Sequence, residues 1–183
     1  IDGFQNQHLI QTGTEQDTFE GAPDYYAWYE ILPAPEIAIG AVAPGDAMSA
    51  SIFQDPAPAP AHTWTIDISD VTSGQNFSQN FSYNEPESSA EWIEEMTSVT
   101  PNQPPLANFG TANFSDLSYT PSDPAANVST LIAMENSQGD YIAYPTQSSP
   151  TDLTAHYGKP PSQTSITAVP GTSGSVTYSA TVT

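Results

Sequence analysis

The 183-residue chain sets 21 Asp and Glu against a single Lys, Lys159, with no Arg, for a net charge of −20 at pH 7. Such a surface repels nucleic acid and anionic membranes, so neither is an expected partner. No apolar run reaches the length of a membrane span, no Cys is present to staple the fold, and 18 Pro spread along the chain exclude long helices.

The hydrophobic period is two, the period of a half-buried strand. Residues 9–12 and 25–32 predict strands, the second stopped by Pro33 and Pro35. Residues 47–53 predict the next. The Ala/Pro run at 55–61 then reads as a loop rather than a domain linker, because strands flank it on both sides. At 62–69, Trp64, Ile66 and Ile68 alternate on one face, and 77–83 follows as a further strand. Residues 89–96 (SAEWIEEM) are ambiguous, since helix formers sit behind a capping Ser89. As a strand the same residues place Glu91, Ile93 and Glu95 on one face and Trp92 and Glu94 on the other, and the surrounding β pattern makes the strand the expectation. Beyond the prolines of 101–105, strands are predicted at 107–114, 129–134 and 165–169. The chain closes on the alternation of Val176, Tyr178, Ala180 and Val182. Short strands with Gly, Pro, Asn and Ser connections predict an all-β fold with little or no helix, a sandwich of two antiparallel sheets of jelly-roll or concanavalin-like form. A single domain over 1–183 is expected, with three Trp, nine Tyr and seven Phe to build its core.

The charge balance points to acid. With the carboxylates protonated, only Lys159, three His and the amino terminus remain charged, about +5 in all, so self-repulsion is low where other acidic proteins would be strained. The four N-x-S/T sequons, at Asn76, Asn80, Asn113 and Asn127, are no more than chance supplies in a chain so rich in Asn, Ser and Thr.

Familiar nucleophile and metal motifs are missing: there is no Cys, no G-x-S-x-G, no H-E-x-x-H and no Gly-rich phosphate loop. His8, His62 and His156 lack ligand spacing and would be protonated in acid, so neither a metal nor another cofactor is expected. Carboxylates and amides remain as the chemical tools. They gather in three stretches that mix acids with aromatics: Ile1-Asp2-Gly3 running on to Gln11, then Tyr25-Tyr26-Ala27-Trp28-Tyr29-Glu30, then Ala90-Glu91-Trp92-Ile93-Glu94-Glu95. Singly, each is more simply a core or surface feature.

Their order changes that reading. Ile1-Asp2-Gly3, Leu9-Ile10-Gln11-Thr12-Gly13, Tyr26-Ala27-Trp28-Tyr29-Glu30 with Pro33, Gly45-Asp46, Ala90 to Glu95, and Phe109-Gly110 with Phe114 stand in sequence. In this the chain resembles the glutamic peptidases, the eqolisin or G1 family of fungal and bacterial acid peptidases, from Ile1 to about Phe114. The resemblance implies a β-sandwich with a substrate groove and an endopeptidase working in acid. It carries the catalytic glutamine onto Gln11 and the catalytic glutamate onto Glu95, with Asp2, Trp28, Glu30 and Tyr26 as groove residues. Fungal members have an aspartate where Tyr26 stands, and the wording around Gln11 looks bacterial. The chemistry suits the residue types. Glu95 would activate water as general base and return the proton to the leaving amine, while the Gln11 amide would steady the oxyanion without titrating.

Protein and peptide substrates, and a secreted, extracellular life in an acidic medium, are the corresponding expectations. Because the motif of the family it resembles begins before Ile1, an N-terminal light chain held without covalent linkage is expected as well, the alternatives being preceding residues left off this sequence or a permuted order of strands. Two other classes fit the residues less closely. One is a β-sandwich glycoside hydrolase using a carboxylate pair such as Glu91 and Glu95. The other is a carbohydrate- or peptide-binding module with no catalytic role, which would tolerate loss of both Gln11 and Glu95.

Overall fold

A computed structural model describes residues 1–56, 58–96, 106–119, 130–161, 164–170 and 176–182, the last two stretches by their backbone. The regular elements among the described residues are all β-strands, paired antiparallel, and no described residue is helical. The chain divides into two compact units, Ile1–Glu91 and Trp92–Thr183.

The first unit is a sandwich of two three-stranded sheets. One sheet is formed by β1 (Ile10–Phe19), β2 (Ala22–Ile31) and β3 (Ile37–Ala41), in that order. β1 and β2, ten residues each, form a hairpin whose two-residue turn, Glu20-Gly21, has φ of +51° and +82°. Two successive positive φ angles give the turn a twist that matches the strands it joins, and glycine takes the second at no steric cost. The other sheet is β4 (Met48–Gln54), β5 (Thr63–Asp70) and β6 (Gln75–Ser82), with β5 in the centre.

Alternation along these strands builds the core. Ile10 of β1 and Trp64 and Ile66 of β5 are buried together with Tyr83, and Tyr29, Ile31, Ile52, Phe77 and Phe81 pack around them. The Tyr29 ring bridges the sheets, its centroid 5.4 Å from that of Phe77 and 4.9 Å from that of Phe81. Because Ile10, Tyr29 and Ile31 turn inward, their sequence neighbours Gln11, Trp28 and Glu30 turn to the other face of the sheet.

In the second unit, β7 (Thr111–Phe114), β10 (Asp152–Tyr157), β9 (Tyr141–Ser149) and β8 (Met134–Glu135) make a four-stranded sheet in that order. β11 (Thr164–Pro170) and β12 (Val176–Val182) form a separate hairpin. Residues 89–96, expected as a strand, join no ladder. A single hydrogen bond, from the Asp2 N–H to the Ser89 carbonyl at 3.1 Å, opens the stretch. Of the expected strand at 129–134, only Met134 pairs, 130–133 are irregular, and 129 lies outside the described residues.

Candidate active site

The outward face of the β1–β2 hairpin carries most of the residues that the sequence motifs single out. Cross-strand partners share a face, and the register sets Gln11 against Glu30, Gly13 against Trp28 and Glu15 against Tyr26. Gln11 Nε2 donates to Glu30 Oε2 at 2.7 Å, which fixes the amide and leaves its second N–H free of that bond. Trp28 lies over Gly13, and a Cβ there would stand only 3.2 Å from its ring. Its Nε1 is buried and donates to no protein group. Thr12, on the opposite face, holds the strand pair by donating Oγ1–H to the Trp28 carbonyl at 2.6 Å.

Asp2 sits differently. It is fully buried at φ +63° and accepts five hydrogen bonds, from Tyr83 Oη, the Glu87 N–H, the Ser88 N–H and Oγ, and Asn6 Nδ2. Burial alone would raise its pKa. The donors of Ser88, Tyr83 and Glu87 outweigh that and hold the carboxyl far below the usual range, so it stays ionised in strong acid. With both oxygens so engaged, what Asp2 does is pin residues 83–89 against the start of the chain. Those residues lead straight into the Ala90 to Glu95 motif.

Glu91 closes the first unit, with Oε1 buried and lacking a protein donor. In the second unit Trp92 packs against Tyr119 with ring centroids 6.5 Å apart. Burial pushes the Glu94 carboxyl up, whereas Glu95 is exposed. Tyr26 donates from Oη to Glu36 Oε1 at 2.7 Å. A groove of about 550 Å³ runs beside it, lined by Asp24, Tyr25, Tyr26, Glu36 and residues 38–41. Glu15 and Glu36, which complete this acid cluster, were not among the expected site residues. A Glu four positions after Gln11, on the same strand face, was the signal available for the first. Glu36 gave none, being brought in by the turn of the chain after Pro35. Among the described residues no three His, Asp or Glu side chains gather as a metal site.

Known proteins bear on this arrangement in two ways. The chain is similar in fold to the crystal structure of aspergilloglutamic peptidase from Aspergillus niger, with a TM-score of 0.68 over 86% of this chain and 94% of that one. At 23% identity the likeness speaks for the fold alone. No curated protein matches the sequence significantly. The family model described as the peptidase A4 family matches residues 1–157, a span that takes in every motif, the whole first unit and the second unit as far as Tyr157. The ordered Gln and Glu motifs, the all-β sandwich and this match therefore agree, against the sugar-hydrolysing and merely binding alternatives, that the chain belongs to the peptidase A4 family, the glutamic peptidases, and is a peptide hydrolase.

Proposed function

We propose that the chain is an acid-acting endopeptidase in which Glu95 and Gln11 act on one scissile bond. The ionised Glu95 carboxylate takes a proton from water as the water oxygen bonds to the peptide carbonyl carbon. The carbonyl oxygen becomes an oxyanion and receives the Gln11 N–H that Glu30 does not use. Protonated Glu95 then passes its proton to the amide nitrogen, the C–N bond breaks, and the amine leaves. Trp28 and Tyr26, with the groove beside Tyr26, would hold the extended peptide.

The observation that carries this reading is the Gln11 amide, fixed at 2.7 Å on Glu30 and standing on the face opposite the core. A primary amide cannot titrate, so it remains a donor at any pH at which the carboxylates work. An exposed Glu95 is reachable by water. The −20 charge with one Lys supports a secreted protein in an acidic medium as the setting.

The test is casein hydrolysis at about pH 3–4, where carboxylates titrate, with an aspartic-peptidase inhibitor present. Glu95→Gln removes the proton acceptor and should abolish turnover. Gln11→Ala should lower kcat by about a hundred- to a thousand-fold, the effect of one lost oxyanion donor. Glu91→Gln and Glu94→Gln should do far less. An inactive Glu91→Gln beside an active Gln11→Ala would overturn the pairing.

A further inference from the structure

Three side chains from successive parts of the first sheet meet on its outward face. Glu15 of β1 lies opposite Tyr26 of β2. Tyr26 is in register with Ala41, the last residue of β3, yet its hydroxyl reaches Glu36, just before β3 begins, so the ring lies along the strand. The Glu15 carboxyl is within hydrogen-bonding reach of both the Glu36 carboxyl and the Tyr26 hydroxyl. Two carboxyls in contact, with no cation between them, need a proton to hold them together.

β3 needs such a tie. It has five residues, pairs with β2 alone among the described strands, and its ladder is interrupted between Ala27 and Trp28. We propose that Glu15, Tyr26 and Glu36 form a proton-operated latch that ties the start of β3 to β1 across β2 and lets go as the medium approaches neutrality. The latch does not depend on the Gln11–Glu95 pairing.

No neighbouring charge opposes this behaviour. On the same face stand Asp17 of β1 and Asp24 and Glu30 of β2, all acids, Glu30 accepting from Gln11. Behind the sheet, β4 and β6 carry no ionisable side chain. β5 carries Asp67 and Asp70, and Asp70 is occupied by donors from Thr72 and Ser73. His8 pairs with Glu85 at 2.6 Å, His62 precedes β5, and Lys159 belongs to the second unit. Burial, then the charge and hydrogen bond of Glu36, then the charge of Asp17 push the Glu15 carboxyl up to about 7. The folded value lies above the unfolded one. The tie is therefore complete below about pH 4.3, the ordinary Glu value, and is lost as pH climbs through about 7.

Backbone amide exchange on the full chain, corrected for intrinsic rates, tests this between about pH 4.5 and 7.5, the span of the Glu15 shift. β3 amides should lose protection about tenfold or more while those of central β5 keep theirs. Glu15→Gln, whose amide can donate to Glu36 at every pH, should hold β3 protection across the range. Tyr26→Phe should weaken it already at the acid end. Parallel loss from β3 and β5, or the same loss in Glu15→Gln as in the wild type, would overturn the latch. If Glu15→Gln does not fold, Glu36→Gln carries the same expectation. A ¹³C titration of the wild-type Glu15 carboxyl with its midpoint in the ordinary Glu range would overturn the latch as well.

Discussion

Gly13 shows how much of the site rests on a side chain that is missing. Trp28 can lie over β1 only because residue 13 ends at its Cα, with ring atoms Cζ2 and Cε2 at 3.2 and 3.5 Å from where a Cβ would be. Gly13→Val should push the ring off the strand and remove an aromatic anchor from the face proposed to hold the peptide. Losing such an anchor costs about 1 kcal/mol or more, so KM should rise about fivefold or more with little change in melting midpoint. Steady-state kinetics on one peptide decides it, and an unchanged KM with a fallen kcat would contradict it. Gln11, Tyr26, Trp28 and Glu30 were singled out by the family resemblance rather than by periodicity; that they share one face follows from the hairpin register, which sets Gln11 against Glu30. The burial of Asp2 was not legible. Its partners Tyr83, Glu87 and Ser88 lie 81 to 86 positions away, and no local pattern announces them. The partnership of Glu15 with Glu36 was hidden for the same reason.

At the scale of elements, strands with a strong apolar alternation were readable. The expected strands at 25–32, 47–53, 62–69 and 77–83 correspond to β2, β4, β5 and β6 within a few residues. Those with a polar or proline-bearing pattern were not. β1 runs on to Phe19 through Gly13-Thr14-Glu15-Gln16-Asp17-Thr18, where no apolar residue marks the strand and the hairpin register alone sustains it. β9 contains Pro145, which normally argues against a strand, and β10 alternates only weakly. β3 is short, and three of its five residues are Ala or Gly. Residues 89–96 show the opposite error, since alternation suggested a strand where the residues join no ladder and the Asp2 N–H reaches only the Ser89 carbonyl. The energetic centre is β5, whose Ile66 is 0% exposed between the two sheets of its unit. Ile66→Ala should cost about 2–5 kcal/mol, the range for a buried aliphatic truncated without collapse of its site. Phe53→Ala, at a side chain 41% exposed on the neighbouring strand, should cost much less. Urea unfolding of both variants measures the contrast, and equal losses would show that β5 is not the centre of the core.

For the whole molecule, two sets of carboxyl groups pull stability in opposite directions, and the outcome is a maximum in acid rather than a monotonic trend. Asp2 and Asp70 are held below their unfolded values, Asp2 by donors that outweigh its burial and Asp70 chiefly by Ser73. Each therefore contributes stability that is present above about pH 3.9, the ordinary Asp value, and is lost as pH falls towards the folded one. Glu15, raised by burial and Glu36, and Glu94, raised by burial, behave in the reverse sense. Their contribution is full below about pH 4.3 and drains away as pH rises, for Glu15 through about 7. General repulsion adds to that second limb, because a net charge of −20 with Lys159 as the only Lys or Arg leaves almost nothing to offset ionised carboxylates. The melting midpoint should thus peak near about pH 4 to 5, between the two limbs. Melts from about pH 2 to 8 test this across both carboxyl ranges, and a midpoint climbing steadily to neutrality would refute it. Salt separates the causes on the neutral side. Screening of surface charge should recover the part due to general repulsion at pH 7, but less of the part due to the partly buried Glu15–Glu36 contact. Asp2→Asn should flatten the acid limb and leave the neutral limb in place, since the two belong to different carboxyls.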